Sequence, residues 1–319
     1  MTLPLQPPLK PQLALSRKEL PTGEDFAYEI KLDGFRCLAF VDGEDVFLQS
    51  RSAKPLGRYF PELLLPPGRY VLDGEIVVRG EDGREDFDAL GQRIHPAVSR
   101  IERLSVETPA VYVVFDLLAR EDESMLERPL SERRAALEGL LADPAFAAAP
   151  VELMETVPTV QEAARWLEHA EGAIAKERSA RYRPGERKGT FKVKRVRTID
   201  AIVVGWRPGK ELETVGALIL GLYDGDQLRV VGHCSGLTAA EKRRLVGFLA
   251  QYESGERGSA DPSRWSAGKD LEWVGLCPEL VIEIDFDHVS AGRIRHGAKL
   301  RRWREDKPPR ECTFDQLAG

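Results

Sequence analysis

The stretch Tyr28-Glu29-Ile30-Lys31-Leu32-Asp33-Gly34-Phe35-Arg36 decides how the rest of the chain is read. Residues 27–31 alternate polar and apolar, as a half-buried strand does. Glu29, Lys31 and Asp33 then share one face, while Ile30 and Leu32 turn to the core. A lysine flanked at two residues on either side by carboxylates also fits an ion-paired surface strand. Gly34 followed by Arg36 argues against that, because glycine permits a sharp turn and a close approach of backbone. The K-x-D-G-x-R pattern fixes four identities, and taken alone it leaves the two readings level.

Downstream segments break the tie. Val71-Leu72-Asp73-Gly74-Glu75 ends a strand-like run on a carboxylate, and Val114-Phe115-Asp116 puts an aromatic beside an acid. Glu171-Gly172-Ala173-Ile174-Ala175-Lys176 supplies another Glu-Gly pair. In Phe191-Lys192-Val193-Lys194 two ammonium groups occupy one strand face, with Phe191 and Val193 behind them. Like charges side by side repel, and such a pair is tolerated where a phosphate sits between them. Each element has an ordinary structural explanation; all of them together, in this order, do not.

The wider pattern expects an α+β chain. Residues 1–22 are Pro-rich and irregular. Residues 36–41 and 45–49 flank Asp42-Gly43 as a hairpin, and 70–78, 110–117, 172–176 and 190–194 read as further strands. Helices are expected over 131–141, with Leu137, Leu140 and Leu141 on one face, and over 160–169 after Pro158-Thr159. Strands and helices mix without regular alternation, which points to α+β rather than a doubly wound sheet. From about Asp200 the texture changes: strands over 201–206, 216–223, 227–234 and 280–289, and one helix over 238–252. Thr238 and Glu241 form a capping box for that helix, and Leu245, Phe248 and Leu249 give it an apolar face. A few strands plus one helix fit a small OB-fold β-barrel. The expected domains are therefore 1–198 and 199–319, joined at 197–200.

Composition narrows the function. The 319 residues, 42% hydrophobic, suffice for two ordinary cores. No apolar run nears the roughly 20 residues of a membrane span, and the N-terminus has no signal-peptide pattern. Cys37, Cys234, Cys277 and Cys312 form no C-x-x-C pair, against both a zinc site and a disulfide framework. The expectation is a cytoplasmic protein. The net charge of −6 hides a strong asymmetry: residues 176–197 hold 10 bases and 2 acids, and 293–310 hold 8 and 2. The remainder carries a net charge of −20. Two basic segments on an acidic background point to a focused polyanion site.

The set resembles the covalent nucleotidyltransferase superfamily, and within it the ATP-dependent DNA ligases. Lys31-x-Asp33-Gly34-x-Arg36 looks like motif I, Ser50-Arg51 like motif Ia followed by Phe60-Pro61-Glu62, and Asp73-Gly74-Glu75 like motif III. Phe115 looks like motif IIIa, Glu171 to Lys176 like motif IV, and Lys192 with Lys194 like motif V, with Phe191 near the place of a tryptophan common in ligases. Arg295 and Arg304-Glu305-Asp306-Lys307 look like motif VI. The chain is most similar to short bacterial C-type ligases, which have a nucleotidyltransferase domain (ATP-grasp-like antiparallel sheets with helices), an OB domain and no separate N-terminal DNA-binding domain.

The resemblance implies that Lys31 is the nucleophile that takes AMP from ATP. It implies nucleotide-binding roles for Glu29, Arg36, Arg51, Glu75, Phe115, Lys176, Lys192, Lys194, Arg304 and Lys307, and Mg2+ or Mn2+ on Glu75 and Glu171. A free lysine titrates near pH ~10.4, so this chemistry calls for cations around the nucleophile. The implied partner is nicked or broken duplex DNA, handled by a monomer in the nucleoid, with repair proteins delivering the substrate. An mRNA-capping guanylyltransferase or RNA ligase shares the lysine chemistry, but F-P-E, E-G-x-x-x-K and R-x-D-K favour the DNA enzyme. A NAD-dependent ligase would need a zinc module. A non-catalytic clamp would have lost one of Lys31, Glu75, Glu171 or Lys194.

Overall fold

The computed structural model describes residues 2–260, 271–290, 292–295 and 297–318. The chain divides into two compact units, Met1–Arg195 and Val196–Gly319. The division lies N-terminal to the expected 198/199. Arg197 already pairs with Phe286, and Asp200 with Glu283, so the expected joint at 197–200 is the first stretch of a long strand, Arg197–Pro208.

In the first unit, a six-stranded sheet runs Asp45–Ser50, Phe35–Gly43, Gly68–Val78, Ala110–Arg120, Glu123–Ser124, with Val151–Leu153 beside Ala110–Arg120. Its apolar face buries Leu72, Ile76, Tyr112 and Leu117 under the helix Leu130–Leu141, whose Leu137 is fully covered. A five-stranded sheet runs Leu15–Ser16, Thr190–Lys194, Gly172–Glu177, Phe26–Ile30, Thr156–Val157. Both sheets are antiparallel except at the short Leu15–Ser16 and Val151–Leu153 strands. The hairpin at Asp42-Gly43 closes as expected, with Gly43 at φ +67°.

Two helices, Phe87–Gln92 and Val98–Glu107, were not anticipated. The second carries Val98, Ile101 and Leu104 at helical spacing and buries the last two, a period present in the sequence but short. The helix expected over 160–169 is two pieces, Val160–Ala164 and Trp166–His169, the first opened by a Thr159–Glu162 capping box.

The second unit is built around a ring of strands. Arg197–Pro208 pairs with Val215–Asp224, then Gln227–Gly236, Ala298–Trp303, Val281–Phe286 and back to Arg197–Pro208. Five strands closing on themselves, with one parallel contact between Gln227–Gly236 and Ala298–Trp303, make an OB-type barrel. The helix Ala239–Leu249 carries the expected Thr238–Glu241 capping box and buries Leu245 and Leu249 in the barrel core. The strands Glu253–Ala260 and Leu271–Leu276, unforeseen in the sequence, extend the sheet. Among the described residues no helix is long and apolar enough to cross a membrane.

Candidate active site

The first unit encloses a cleft of about 1140 Å³. Its walls bring together Glu29, Lys31, Arg36, Arg51, Glu75, Phe115, Lys176 and Lys192, eight of the residues singled out in the sequence. Lys31 lies one residue beyond the Phe26–Ile30 strand, where its N–H donates to Gly172 O at 3.0 Å. Two glycines make this junction possible. A Cβ on Gly34 would run into Ile76 O and the Glu75 side chain, so the backbone after Lys31 can lie against the Glu75 strand only without one. Gly172 sits at φ +144° and a Cβ there would strike Val193 O, which explains the Glu-Gly pair.

Lys31 Nζ is 3.7 Å from Glu171 Oε2, each side chain being 18% exposed. Glu75 is directly opposite Arg36 in the sheet register, yet its carboxylate has no hydrogen bond or ion pair among the described residues. Burial pushes it up to about 7, against the pull of Arg36 and Lys31. A desolvated carboxylate without a protein partner, next to the lysine, is suited to a hard divalent cation.

On the other wall, burial lowers the Lys192 ammonium below the ordinary lysine value, helped by Lys194, Lys31, Arg51 and Arg187. These cations repel one another, and an anion among them relieves the repulsion. Lys194 is half-buried at the strand end, opposite Gly172, and is not part of the cleft wall.

The base of the cleft is apolar and charged together. Phe115 is buried among Val77, Val113 and Met154. Lys176 Nζ lies 4.1 Å and the Arg36 guanidinium 4.5 Å from its ring centroid. Lys176 is paired at 2.7 Å with Glu29, and both side chains are nearly covered. Arg36 is not an open cation. It donates to both Asp73 oxygens, at 2.5 and 2.7 Å, and to Gln12 O at 3.4 Å. Burial opposes its charge, and Asp73 more than offsets this.

Several members were quoted in the sequence without a role, or not singled out at all. Asp73 is fully buried and also accepts from Tyr182 Oη at 2.7 Å, and Tyr182 in turn accepts from Gln12 N–H at 2.9 Å. Asp116, quoted only as an acid beside Phe115, is clamped by Arg133 at 2.7 and 2.9 Å. Tyr182-Arg183-Pro184-Gly185 carried a turn signal; Gln12, in an irregular Pro-rich start, carried none.

Arg304 and Lys307 belong to the second unit. Arg304 donates to both oxygens of Asp200, at 2.8 and 3.0 Å, and to both of Asp306, at 2.9 and 2.8 Å. Lys307 is paired with Glu311 at 2.9 Å.

The comparisons agree with this layout. Residues 11–194 match the family model for the ATP dependent DNA ligase domain, and 211–307 that for the ATP dependent DNA ligase C terminal region. The chain is 43% identical to DNA ligase C2 of Mycolicibacterium smegmatis and 41% identical to DNA ligase C of Mycobacterium tuberculosis, each over 99% of this chain and 96% of the relative. Among solved structures it is similar to the ligase domain of M. tuberculosis LigD, at 29% identity and a TM-score of 0.53, over 96% of this chain and 98% of that one. The α+β cleft unit followed by an OB barrel, and full-length identity above two-fifths to bacterial ligases, place this chain in the family of ATP-dependent DNA ligases.

Proposed function

We propose that Lys31 is the residue that carries AMP, and that the first unit is the adenylation domain and the second its OB domain. The observation that carries this is that Lys31 lines the cleft near the acids Glu75 and Glu171 and the mutually repelling cations around Lys192. Lys31 Nζ attacks the α-phosphorus of ATP; a P–N bond forms, the α–β P–O bond breaks and pyrophosphate leaves. A 5′-phosphate oxygen of nicked DNA then displaces Lys31 from the AMP phosphorus. The neighbouring 3′-hydroxyl closes the strand and releases AMP. Phe115 would stack on the base, and Lys192 and Lys194 would neutralise phosphate charge. Arg51 would hold the ribose or the incoming phosphate, and Arg36 would do so only from its fixed place on Asp73. Intact mass after ATP, then after nicked DNA, tests the reading: the AMP adduct should appear and then disappear.

Glu75 and Glu171 would hold Mg2+ or Mn2+, which supplies charge neutralisation at the polyphosphate. Glu75→Gln should therefore be more stable than the parent at pH 8 when both are metal-free and, with the divalent cation supplied to both, at least ~100-fold slower in self-adenylation. The sign follows from the raised pKa. A carboxyl held at about 7 instead of 4.5 loses stability as pH rises through that window, by at most about 3 kcal/mol, and Gln removes the penalty. A lower melting temperature for Glu75→Gln would mean that the ionised carboxylate has a stabilising partner, and no reason to seek a metal.

Arg304 and Lys307 would orient pyrophosphate in the first step alone. All three guanidinium nitrogens of Arg304 are engaged by Asp200 and Asp306, so that role requires these bonds to be exchanged. Arg304→Ala should slow self-adenylation at least ~10-fold and leave sealing of pre-adenylated nicks within about threefold. Equal loss of both activities would contradict a step-specific role. A repair setting, with partners that deliver broken DNA to a monomeric ligase, is supported by a relative in Pseudomonas aeruginosa. That relative is a multifunctional non-homologous end joining protein, 32% identical over 98% of this chain and 37% of its own length.

A further inference from the structure

The two cations read as orienting pyrophosphate are both satisfied inside their own unit. Arg304 follows the strand Ala298–Trp303, its N–H donating to Val281 O at 2.9 Å, and the chain turns at once into Asp306 and Lys307. Asp306 rides on that turn and accepts from Nε and Nη2 of Arg304. Asp200 takes Nη1 with both oxygens, from a different strand, Arg197–Pro208. Lys307 is held by Glu311. Two cations thus face three carboxylates, and the neighbouring Arg301 and Arg302 are drawn off by Glu283, at 3.2 and 2.5 Å. The Arg304 hydrogen bond holds the Asp306 carboxyl down at about 2, and Glu311 raises Lys307 above the ordinary lysine value, so these groups stay charged near neutral pH.

Asp306 moves with Arg304, so the ion pair that ties the turn to the barrel is the one with Asp200. Asp200 is itself locked from behind. Its N–H donates to Gln316 Oε1 at 3.1 Å, and its carbonyl accepts from Gln316 Nε2 at 3.2 Å. The segment that carries Gln316 is anchored in the barrel, with Cys312 and Leu317 buried in its core. Cys312 O accepts from Tyr223 N–H at 2.8 Å, and Leu317 O from Arg197 Nη2 at 2.9 Å. A fixed acid cannot follow Arg304 when the arginine shifts toward another anion.

We propose that Asp200 is a positioning residue that holds the Arg304–Lys307 turn in a state unable to grip polyphosphate, and that the C-terminal segment fixes Asp200 for this task through Gln316. The proposal rests on the reading of Arg304 and Lys307 as the pyrophosphate-orienting cations of the first step. A phosphate gains a two-pronged hold on this guanidinium only by displacing a carboxylate. When the competent state is a fraction of the whole, apparent affinity falls by that fraction. The held state also shields the charged enzyme. Pyrophosphate reverses the first step by attacking the α-phosphorus: the α–β P–O bond re-forms, the P–N bond to Lys31 breaks and ATP leaves. That reversal calls on the same two cations.

The test follows AMP gain by the full chain, by intact mass, over a series of ATP concentrations with the divalent cation constant. Asp200→Asn, which keeps the shape and removes the charge, should lower the KM for ATP about fivefold, with the saturating rate within about twofold. Glu311→Gln, at an exposed position, frees Lys307 and should lower the same KM about twofold. Gln316→Ala leaves every charge in place and should also lower it, and adding it to Asp200→Asn should bring no further change, since both act on one contact. Pyrophosphate should strip AMP from the Asp200→Asn chain at correspondingly lower concentration. An unaltered or higher KM in Asp200→Asn overturns the proposal. So does a fall in its saturating rate, which would make Asp200 a group that presents Arg304 to the reaction. Additive effects in the double variant overturn the role of Gln316. Normal self-adenylation by Arg304→Ala would instead be a failure of the pyrophosphate reading itself.

Discussion

Lys31→Ala is expected to fold normally and to gain no AMP from ATP and a divalent cation, a loss of at least ~10⁴-fold in self-adenylation. Normal folding follows from the modest interactions of the side chain. Its ion pair with Glu171 is at 3.7 Å and its hydrogen bond to Leu32 O at 3.4 Å, both long and partly exposed, worth under about 1 kcal/mol. The chemical loss is complete because alanine offers no electron pair to the α-phosphorus. Lys31→Arg should fail as well, since it keeps the charge without a nucleophile. Sealing of pre-adenylated nicks should survive better than self-adenylation in both variants. Intact mass decides it: an AMP adduct on Lys31→Ala means that another residue is the nucleophile.

The largest effect on stability is expected at a pair with no part in the chemistry. Arg93 is fully buried, with two bonds to Glu62, at 2.6 and 2.8 Å, and others to Tyr59 O at 3.0 Å and Thr108 O at 3.1 Å. Glu62 also accepts from Ala110 N–H at 3.0 Å, so it ties the loop after Phe60 to the start of a central strand. Glu62→Ala leaves a buried guanidinium uncompensated, at a cost of about 3–5 kcal/mol. That is a large part of the ~5–15 kcal/mol a domain of this kind has in all. Urea unfolding should show it as a lower midpoint at constant slope. Replacing both partners, Glu62→Met with Arg93→Leu, should recover most of the loss. A change below about 1 kcal/mol for Glu62→Ala would mean that the clamp is dispensable.

What could be read from the sequence was whatever local pattern dictates. Alternation gave the strands around Lys31 and Lys192, and the Thr238–Glu241 box gave the barrel helix its start. The eight residues gathered in the cleft were recognisable because they fall in short motifs, such as K-x-D-G-x-R, Asp-Gly-Glu and Lys-x-Lys, that follow one another in the order of the ligase pattern. Pairings between distant residues were not recognisable. Nothing local says that Asp73 will hold Arg36 and Tyr182, that Glu62 will hold Arg93, or that Gln12 will fasten a loop some 170 residues away. The basic segment 176–197 shows the limit of a charge count: Lys176 is spent on a buried pair with Glu29, whereas Arg183 and Arg187 face a groove. The helix Val98–Glu107 was legible in the spacing of Val98, Ile101 and Leu104, but that period spans only two turns among polar residues.

The packing of Gly34 against Ile76 bears on how this enzyme could be redesigned. A saturation library across residues 31–36 would not sample its positions evenly. At Gly34 every side chain pushes on backbone that also carries Glu75, so a tolerated substitution there would have to move nucleophile and acid together. Leu32 packs on the cluster that holds Phe115, and Phe35 between the rings of Phe60 and Phe87, and these side chains can repack. Directed evolution toward another nucleotide should therefore collect its substitutions at Leu32 and Phe35 and stay blind to Gly34, whatever the selection rewards.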